Sequence, residues 1–226
     1  IQNAPFDGIT LYSEASHGAA IDPIIRRCRI HDCGSCGITV YGNTPNPLNT
    51  LIENCFLWRL QTAHGGAFNT TARFGYITTR RSMNTRIVNN TFFVDTGTGS
   101  TFCVLGAYAS STAEVPFGEV SNNIIVKTAG AGFPIFHLNT PTGSQSTVPA
   151  VCDSNCFFDV TTSPFARYDV GAATTLNTLL DWQITALRDL ASLNADPQLV
   201  APQNGDLHLA ALSPCISAST LAGSAA

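Results

Sequence analysis

Charge is what this 226-residue chain has least of. Eleven Lys and Arg and fifteen Asp and Glu make 12% of it, about half the share of an ordinary soluble domain, and Lys127 is its single lysine. A net charge of −4 leaves no basic footprint for a phosphate backbone, which argues against nucleic acid as a partner. Long apolar runs are missing too. The best stretch, 101–109, falls far short of the roughly 18 residues a spanning helix needs, so no membrane span is expected. No two carboxylates stand within three residues of each other, so the chain lacks both the clustered oxygens that hold calcium and the paired aspartates of sugar hydrolases. Neither a serine triad nor a phosphate loop is present: Gly97-Thr-Gly99 has no lysine and no helix after it. Methionine and a charged-then-apolar leader are absent at Ile1; either a signal has been removed or the chain is cut from something longer. Disorder is excluded by the 44% hydrophobic content, and the length suits one domain with a real core.

Cysteine, by contrast, is plentiful. Cys28, Cys33, Cys36, Cys55, Cys103, Cys152, Cys156 and Cys215 form an even set in a chain rich in Ser, Thr and Asn, which points to an oxidising compartment. Cys33-Gly-Ser-Cys36 has the spacing of a zinc or redox motif. A zinc site needs four convergent ligands, and the next close pair, Cys152 and Cys156, lies far along the chain; no metal is expected. A thioredoxin-type pair needs a helix behind it, whereas Gly37-Ile-Thr-Val-Tyr41 reads as a strand.

Internal repeats organise the rest. Ile25-Arg-Arg-Cys-Arg-Ile30, Ile52-Glu-Asn-Cys-Phe-Leu57, Ile87-Val-Asn-Asn-Thr-Phe92, Val120-Ser-Asn-Asn-Ile-Ile125 and Cys152-Asp-Ser-Asn-Cys-Phe157 share one pattern: apolar, any, polar, Asn or Cys, any, apolar. They recur roughly 30 residues apart, a period that marks stacked repeats. Asp7-Gly-Ile-Thr-Leu-Tyr12 matches Cys36-Gly-Ile-Thr-Val-Tyr41, with looser echoes at Gly66-Ala-Phe68, Phe102-Cys-Val-Leu105 and Gly132-Phe-Pro-Ile-Phe136. Each period therefore holds two or three short strands, and only stacking on the next coil buries their apolar face. Asn90, Asn123 and Asn155 are expected to form a ladder, chosen because Asn tolerates the left-handed conformation of a sharp corner, with Cys28 and Cys55 in its place earlier. Neighbouring coils bring that last pair near disulfide spacing, so Cys28 and Cys55 are either a bridge or two small buried thiols.

These repeats resemble those of the right-handed parallel β-helices of the pectate-lyase-like superfamily over roughly residues 6–160. The tail, with Leu180-Asp-Trp182, Arg188-Asp-Leu-Ala-Ser192, Ala195-Asp-Pro-Gln-Leu-Val200, Asn204-Gly-Asp-Leu-His-Leu209 and Ser213-Pro-Cys-Ile216, is similar to the ending of secreted or surface-anchored bacterial β-helix proteins. The expected fold is all-β: a right-handed parallel solenoid of about five or six coils over 1–160, closed by a capping segment over 161–226. Thr178 with Asp181 predicts a capped short helix near 179–190, and Asn204-Gly205 a tight turn between two strands. No comparable lid precedes Asp7, so either further coils come first or the first coil packs against another molecule, and head-to-tail filaments become possible.

The resemblance implies carbohydrate chemistry. A polysaccharide lyase needs a base and a cation facing a uronate, and Arg59, Arg73, Arg80, Arg81 and Arg86 crowd one inter-repeat segment with His64. In that reading His64, Arg80, Arg81 and Arg86 are catalytic, Arg59, Arg73, Trp58 and Tyr76 bind substrate, and calcium is a conceivable cofactor if coils bring Asp22, Glu53 and Asp95 together. The same arginines also read as a solvated loop paired with Glu53 and Asp95. His17-Gly18 and His31-Asp32 stand as isolated pairs, and His208 falls on the outer face of a capping strand. Tyr12, Tyr41, Trp58, Tyr76 and Tyr108 are the aromatics available for a sugar platform, the alternative being core stacking. Asn69 and Asn89 both satisfy the glycosylation rule; Asn69 is the better acceptor if Asn89 points into the coil. The expectation is a secreted or cell-surface module with a structural, adhesive or glycan-binding role, partnered by a polysaccharide, a cell-surface glycan or its own copies; a lyase acting on uronate polymers is the alternative.

Overall fold

The computed structural model describes residues 1–2, 4, 7–13, 22–42, 49–60, 74–95, 102–109, 115–129, 134–139, 148–161, 163–170 and 172–218. The chain winds as a β-solenoid in which each turn gives one strand to each of three mostly parallel sheets. After β1 (Ile9–Tyr12), the first layer is β2 (Ile24–Arg26), β3 (Arg29–His31) and β4 (Ile38–Tyr41), and the next β5 (Leu51–Glu53), β6 (Phe56–Trp58) and β7 (Phe74–Arg80). There follow β8 (Thr85–Val88), β9 (Thr91–Val94) and β10 (Phe102–Tyr108); β11 (Phe117–Ser121), β12 (Ile124–Lys127) and β13 (Phe136–Asn139); and β14 (Val151–Asp153), β15 (Cys156–Asp159) and β16 (Ala166–Val170). Only the layers β5–β7, β8–β10 and β11–β13 have a parallel neighbour on both sides in all three sheets. The expected five or six equivalent coils are thus corrected to about three complete turns between two end layers: β2 and β14 are the outer strands of their sheet, and antiparallel β17 (Ala172–Leu176) closes β16.

Each of the five sequence repeats is the bend between the first and second sheets. Their leading apolar residues stack in register, Ile25 on Ile52, Ile87, Val120 and Cys152, and so do their closing ones, Ile30 on Leu57, Phe92, Ile125 and Phe157. All ten are buried in one core. The bend itself is made by the residue before the predicted one. Arg27, Asn54, Asn89, Asn122 and Ser154 carry φ between 53° and 58°, so the left-handed corner belongs to them, and Asn89 is exposed while Asn90 points inward.

The ladder at Asn90, Asn123 and Asn155 has a different purpose. Sharp corners leave backbone groups turned into a dry interior, where an unmade hydrogen bond costs about 1–3 kcal/mol. Asn123 Oδ1 accepts from Asn90 N–H (3.0 Å) and Asn90 Nδ2 (3.1 Å), while Asn123 Nδ2 donates to Ile87 O (2.8 Å). Asn155 repeats this one turn on, and Asn90 Oδ1 accepts from Cys55 N–H at 2.9 Å. Cys55 stands in for an amide: its thiol donates to Ile25 O and Glu53 O, as Asn90 Nδ2 does to Ile52 O and Val88 O. Cys28 likewise donates to Arg26 O. Cys28 and Cys55, read as either a bridge or two small thiols, are both free here, Cys55 buried and Cys28 half-buried.

The coil runs past the boundary expected at residue 160, because β16 still pairs in parallel with β13. Beyond it α1 (Leu179–Ala186) begins with the predicted capping box, Asp181 N–H donating to Thr178 Oγ1 and Thr178 N–H to Asp181 Oδ2. The helix sets Trp182 on the end of the core, its ring parallel to Phe136 at 4.9 Å. Trp182 Nε1 donates to Asp189 Oδ2 (2.7 Å), whose carboxylate also receives Cys152 Sγ, Asn155 Nδ2 and Ser192 Oγ. The ladder therefore ends on a buried anion with four donors. After β18 (Leu193–Asn194), β19 (Leu199–Ala201) and β20 (Asp206–Leu209) form an antiparallel hairpin through a 3-10 turn at Pro202–Asn204 and Gly205, and α2 (Cys215–Ala218) follows. At Gly205 φ is 78°, and a Cβ there would meet the Trp58 ring at 2.8 Å, so glycine is required twice over.

Replacing Asn123 by Ala should strip partners from two buried N–H donors and a carbonyl, lowering stability by roughly 3 kcal/mol. Asn122→Gly, at the half-buried left-handed corner, should stay within about 0.5 kcal/mol of the parent. Equal urea midpoints for the two variants would refute this division of labour.

Candidate functional site

The third sheet has the longest strands; its outer face is open at Tyr12 and Arg80 and partly so at Tyr41 and Tyr108, while Thr78 and His137 on the same face are buried. Alternation buries Ile38, Val40, Ile77, Leu105, Ala107, Phe136 and Leu138 inside, which turns the intervening residues outward. Register then places Tyr12 beside Tyr41, Tyr41 beside Arg80 and Arg80 beside Tyr108 on successive strands. Tyr12 and Tyr41 stack with centroids 5.0 Å apart, and the Arg80 guanidinium lies over the Tyr41 ring at 5.3 Å. Tyr12 is 56% exposed and Arg80 is exposed, while Tyr41 and Tyr108 are half-buried. Beside this column runs a hydroxyl row, in which Thr10 and Thr39 both donate to Asp7 Oδ2. Such a surface offers flat apolar faces, one fixed cation and several hydroxyls.

The arginines singled out by the sequence separate. The segment read there as a loop contains β7: the echo expected at Gly66–Phe68 lies outside the described residues, and the strand that pairs with β4 is Phe74–Arg80. The signal was missed because Ile77-Thr-Thr-Arg80 lacks the Gly-Ile-Thr-Val-Tyr pattern. Arg80 belongs to the tyrosine column, Arg81 sits at the following corner with φ 49°, and Arg86 lies on the first sheet, where Nε donates to Glu119 Oε2 at 2.7 Å. His64 and Arg73, like Asn69, fall outside the described residues.

Two of the expected platform residues are covered. Tyr76 is fully buried, its hydroxyl donating to Phe93 O at 3.4 Å. Trp58 faces out from the second sheet, but the β19–β20 hairpin covers it: with Phe93, Val126 and Leu207 it forms a small second core. Neither can serve as the expected substrate-binding surface. Glu53 pairs with Arg26, Asp22 accepts from Asn49 and Asp95 adjoins Arg59, so these three carboxylates do not assemble. Among the described residues no group of three or more His, Cys, Asp and Glu could hold a metal ion, and no helix is long and apolar enough to cross a membrane.

A second polar cluster gathers residues that looked isolated in sequence. Arg59 Nε and Nη2 grip Asp32 Oδ1 and Oδ2 at 2.9 Å each, His31 Nδ1 lies 2.6 Å from Asp32 Oδ2, and the His31 ring stacks on Trp58 at 4.1 Å. Coil stacking makes this contact, since His31 pairs with Trp58 across β3 and β6. Partial burial pushes the Asp32 carboxyl up, but hydrogen bonds from His31 and Arg59 outweigh it and hold the group below the usual range. Burial raises Asp95 on the other side of Arg59. His208 is exposed on β20 as expected, against Asp206 and edge-on to Phe56.

No family model matches the chain, and neither a curated protein nor a solved structure does.

A carboxyl whose folded value is depressed stabilises the fold above its unfolded value, near pH 4, and loses that contribution as pH falls through the folded value. Asp32→Asn should therefore cost about 1 kcal/mol at pH 7 and flatten the acid limb of stability below about pH 4. Urea midpoints between pH 2 and pH 7 test this; parallel curves for parent and variant would exclude it.

Proposed function

We propose that the protein is a secreted or cell-surface solenoid module that binds a polysaccharide or cell-surface glycan along the outer face of its third sheet. The observation that carries this reading is the column Tyr12, Tyr41, Arg80 and Tyr108. Parallel pairing sets such residues about 4.8 Å apart, so a glycan laid along the solenoid axis meets a ring or a guanidinium at each layer. Aromatic faces stack on the C–H faces of sugars, and the guanidinium and hydroxyls take up the polar edges. Eight cysteines, few charges and the Thr- and Asn-rich surface support export. The resemblance to pectate-lyase-like repeats supports a right-handed winding, the hand that crossovers between parallel strands overwhelmingly take.

Pull-down on a panel of insoluble polysaccharides and soluble uronate polymers tests the reading. Tyr41→Ala should weaken binding about tenfold, the worth of one good aromatic contact, with far-ultraviolet dichroism unchanged. Binding indifferent to Tyr41→Ala and Arg80→Ala would overturn it. Absorbance from an unsaturated uronate product, lost in Arg80→Ala and Arg86→Ala, would install the lyase reading, which otherwise has Arg80 and Arg86 on different sheets against it.

Self-association is part of the same proposal. Among the described residues β1 and β2 are the outer strands of their sheets, and such edges pair readily with another copy. Sedimentation at rising concentration should show mass growing beyond the monomer; a constant monomeric mass removes this element.

A further inference from the structure

Where the last turn meets the carboxy-terminal segment, two thiols open onto one pocket of about 190 Å³, lined also by Asn122, Ser154, Asn155 and Leu209. Cys156 begins β15 directly after the last ladder amide, and its Sγ donates to Ala195 O at 3.4 Å. Cys215 opens α2, and its N–H donates to Ser213 Oγ at 3.2 Å. Both are free thiols, and both side chains line this pocket. What they join is far apart in sequence: the solenoid wall and the segment that follows the hairpin over Trp58.

The other cysteines are committed differently. Cys28 and Cys55 both donate to corner carbonyls, and Cys55 is fully buried with its thiol pushed up to about 11 by that burial. Cys33 donates to His31 O, Cys36 contacts the Thr78 hydroxyl, and Cys152 donates to Asp189. Cys215 is half-exposed, and a hydrogen bond from Cys156 holds its thiol below the usual range while the same bond pushes Cys156 up. Cys215 is the more exposed of the two and is the one an external disulfide reaches first, with Cys156 buried behind it as the resolving partner.

We propose that Cys156 and Cys215 form a reversible disulfide that fastens the carboxy-terminal segment to the last turn, the oxidant being a small-molecule disulfide or a protein disulfide of the exporting compartment. With glutathione disulfide the Cys215 thiolate attacks one sulfur, the glutathione S–S bond breaks and one glutathione thiolate leaves. Cys156, on losing its proton to water, attacks Sγ of Cys215 in the mixed disulfide and expels the second glutathione. Two thiol protons are released in all, two cysteines are oxidised and one glutathione disulfide is reduced to two thiols. The bridge needs the two sulfurs to close across the pocket they line to about 2.05 Å.

The test uses the folded full chain incubated with glutathione disulfide, alkylated and digested without reduction. The expected result is a cross-linked peptide pair containing Cys156 and Cys215, absent after dithiothreitol, together with slower hydrogen exchange over 206–209 in the oxidised protein. Cys156→Ser should instead leave glutathione on Cys215. A map that shows Cys28 joined to Cys55 and no link at Cys215, or only glutathione adducts on both parent thiols, overturns the proposal. So does a Cys156–Cys215 link that leaves exchange over 206–209 unchanged, since the bridge then fastens nothing. Because the map is read on the unmodified sequence, a variant that fails to fold does not blunt it.

Discussion

Everything in this molecule depends on satisfying the backbone at one corner. Five times the chain turns sharply from the first sheet to the second, and each turn points N–H and C=O groups into a space without water. An amide at the next position answers both: its oxygen accepts from the turn before it, and its nitrogen donates to a carbonyl of that same turn. Asn90, Asn123 and Asn155 do this in series, and the series must stop somewhere. It stops at Asp189, whose carboxylate takes Asn155 Nδ2 together with Ser192, Trp182 and Cys152. The ladder and the lid are therefore one hydrogen-bonded object: the group that completes the ladder also fixes the tryptophan that covers the core.

This arrangement explains why thiols and amides interchange at the corner. A thiol can donate one weak hydrogen bond and fill the space, but it offers no strong acceptor to the neighbouring layer. Cys28 and Cys55 occupy the first two layers, where the ladder begins, and Cys55 N–H still has Asn90 Oδ1 to donate to. For Cys55 the acceptor is thus supplied from the following turn, so the substitution is tolerated at the starting end and would be costly in the middle.

With the interior committed to packing and corner chemistry, the outer faces are free to differ. The second sheet gives its outward aromatics to the hairpin, so Trp58 and Phe93 become a second small core. The first carries cross-layer ion pairs, Arg26 with Glu53 and Arg86 with Glu119. The third carries the tyrosine column and keeps it partly open. Stacking equal positions of successive layers turns a residue scattered through the sequence into a row, and a row of rings is what an extended polymer can use.

The sequence by itself determined the repeat, the identity of the inward-facing residues, the asparagine ladder, the capping box at Thr178 and Asp181 and the turn at Gly205. These depend on local chemistry: period-two burial, side chains that cap their own corner, and φ values that few residues adopt. Only the tertiary structure decided the rest. Which residue bends could not be separated from which residue caps, because both are usually Asn and sit side by side. That Trp58 is covered depends on a hairpin whose turn glycine lies nearly 150 residues later, and that Arg80 stands over Tyr41 while Arg86 faces Glu119 depends on which sheet each strand joins. Arg59 joins His31 and Asp32 for the same reason: it reaches Asp32 only across layers, and cross-layer neighbours are set by the number of residues in each turn, which varies with the loops and leaves no local mark.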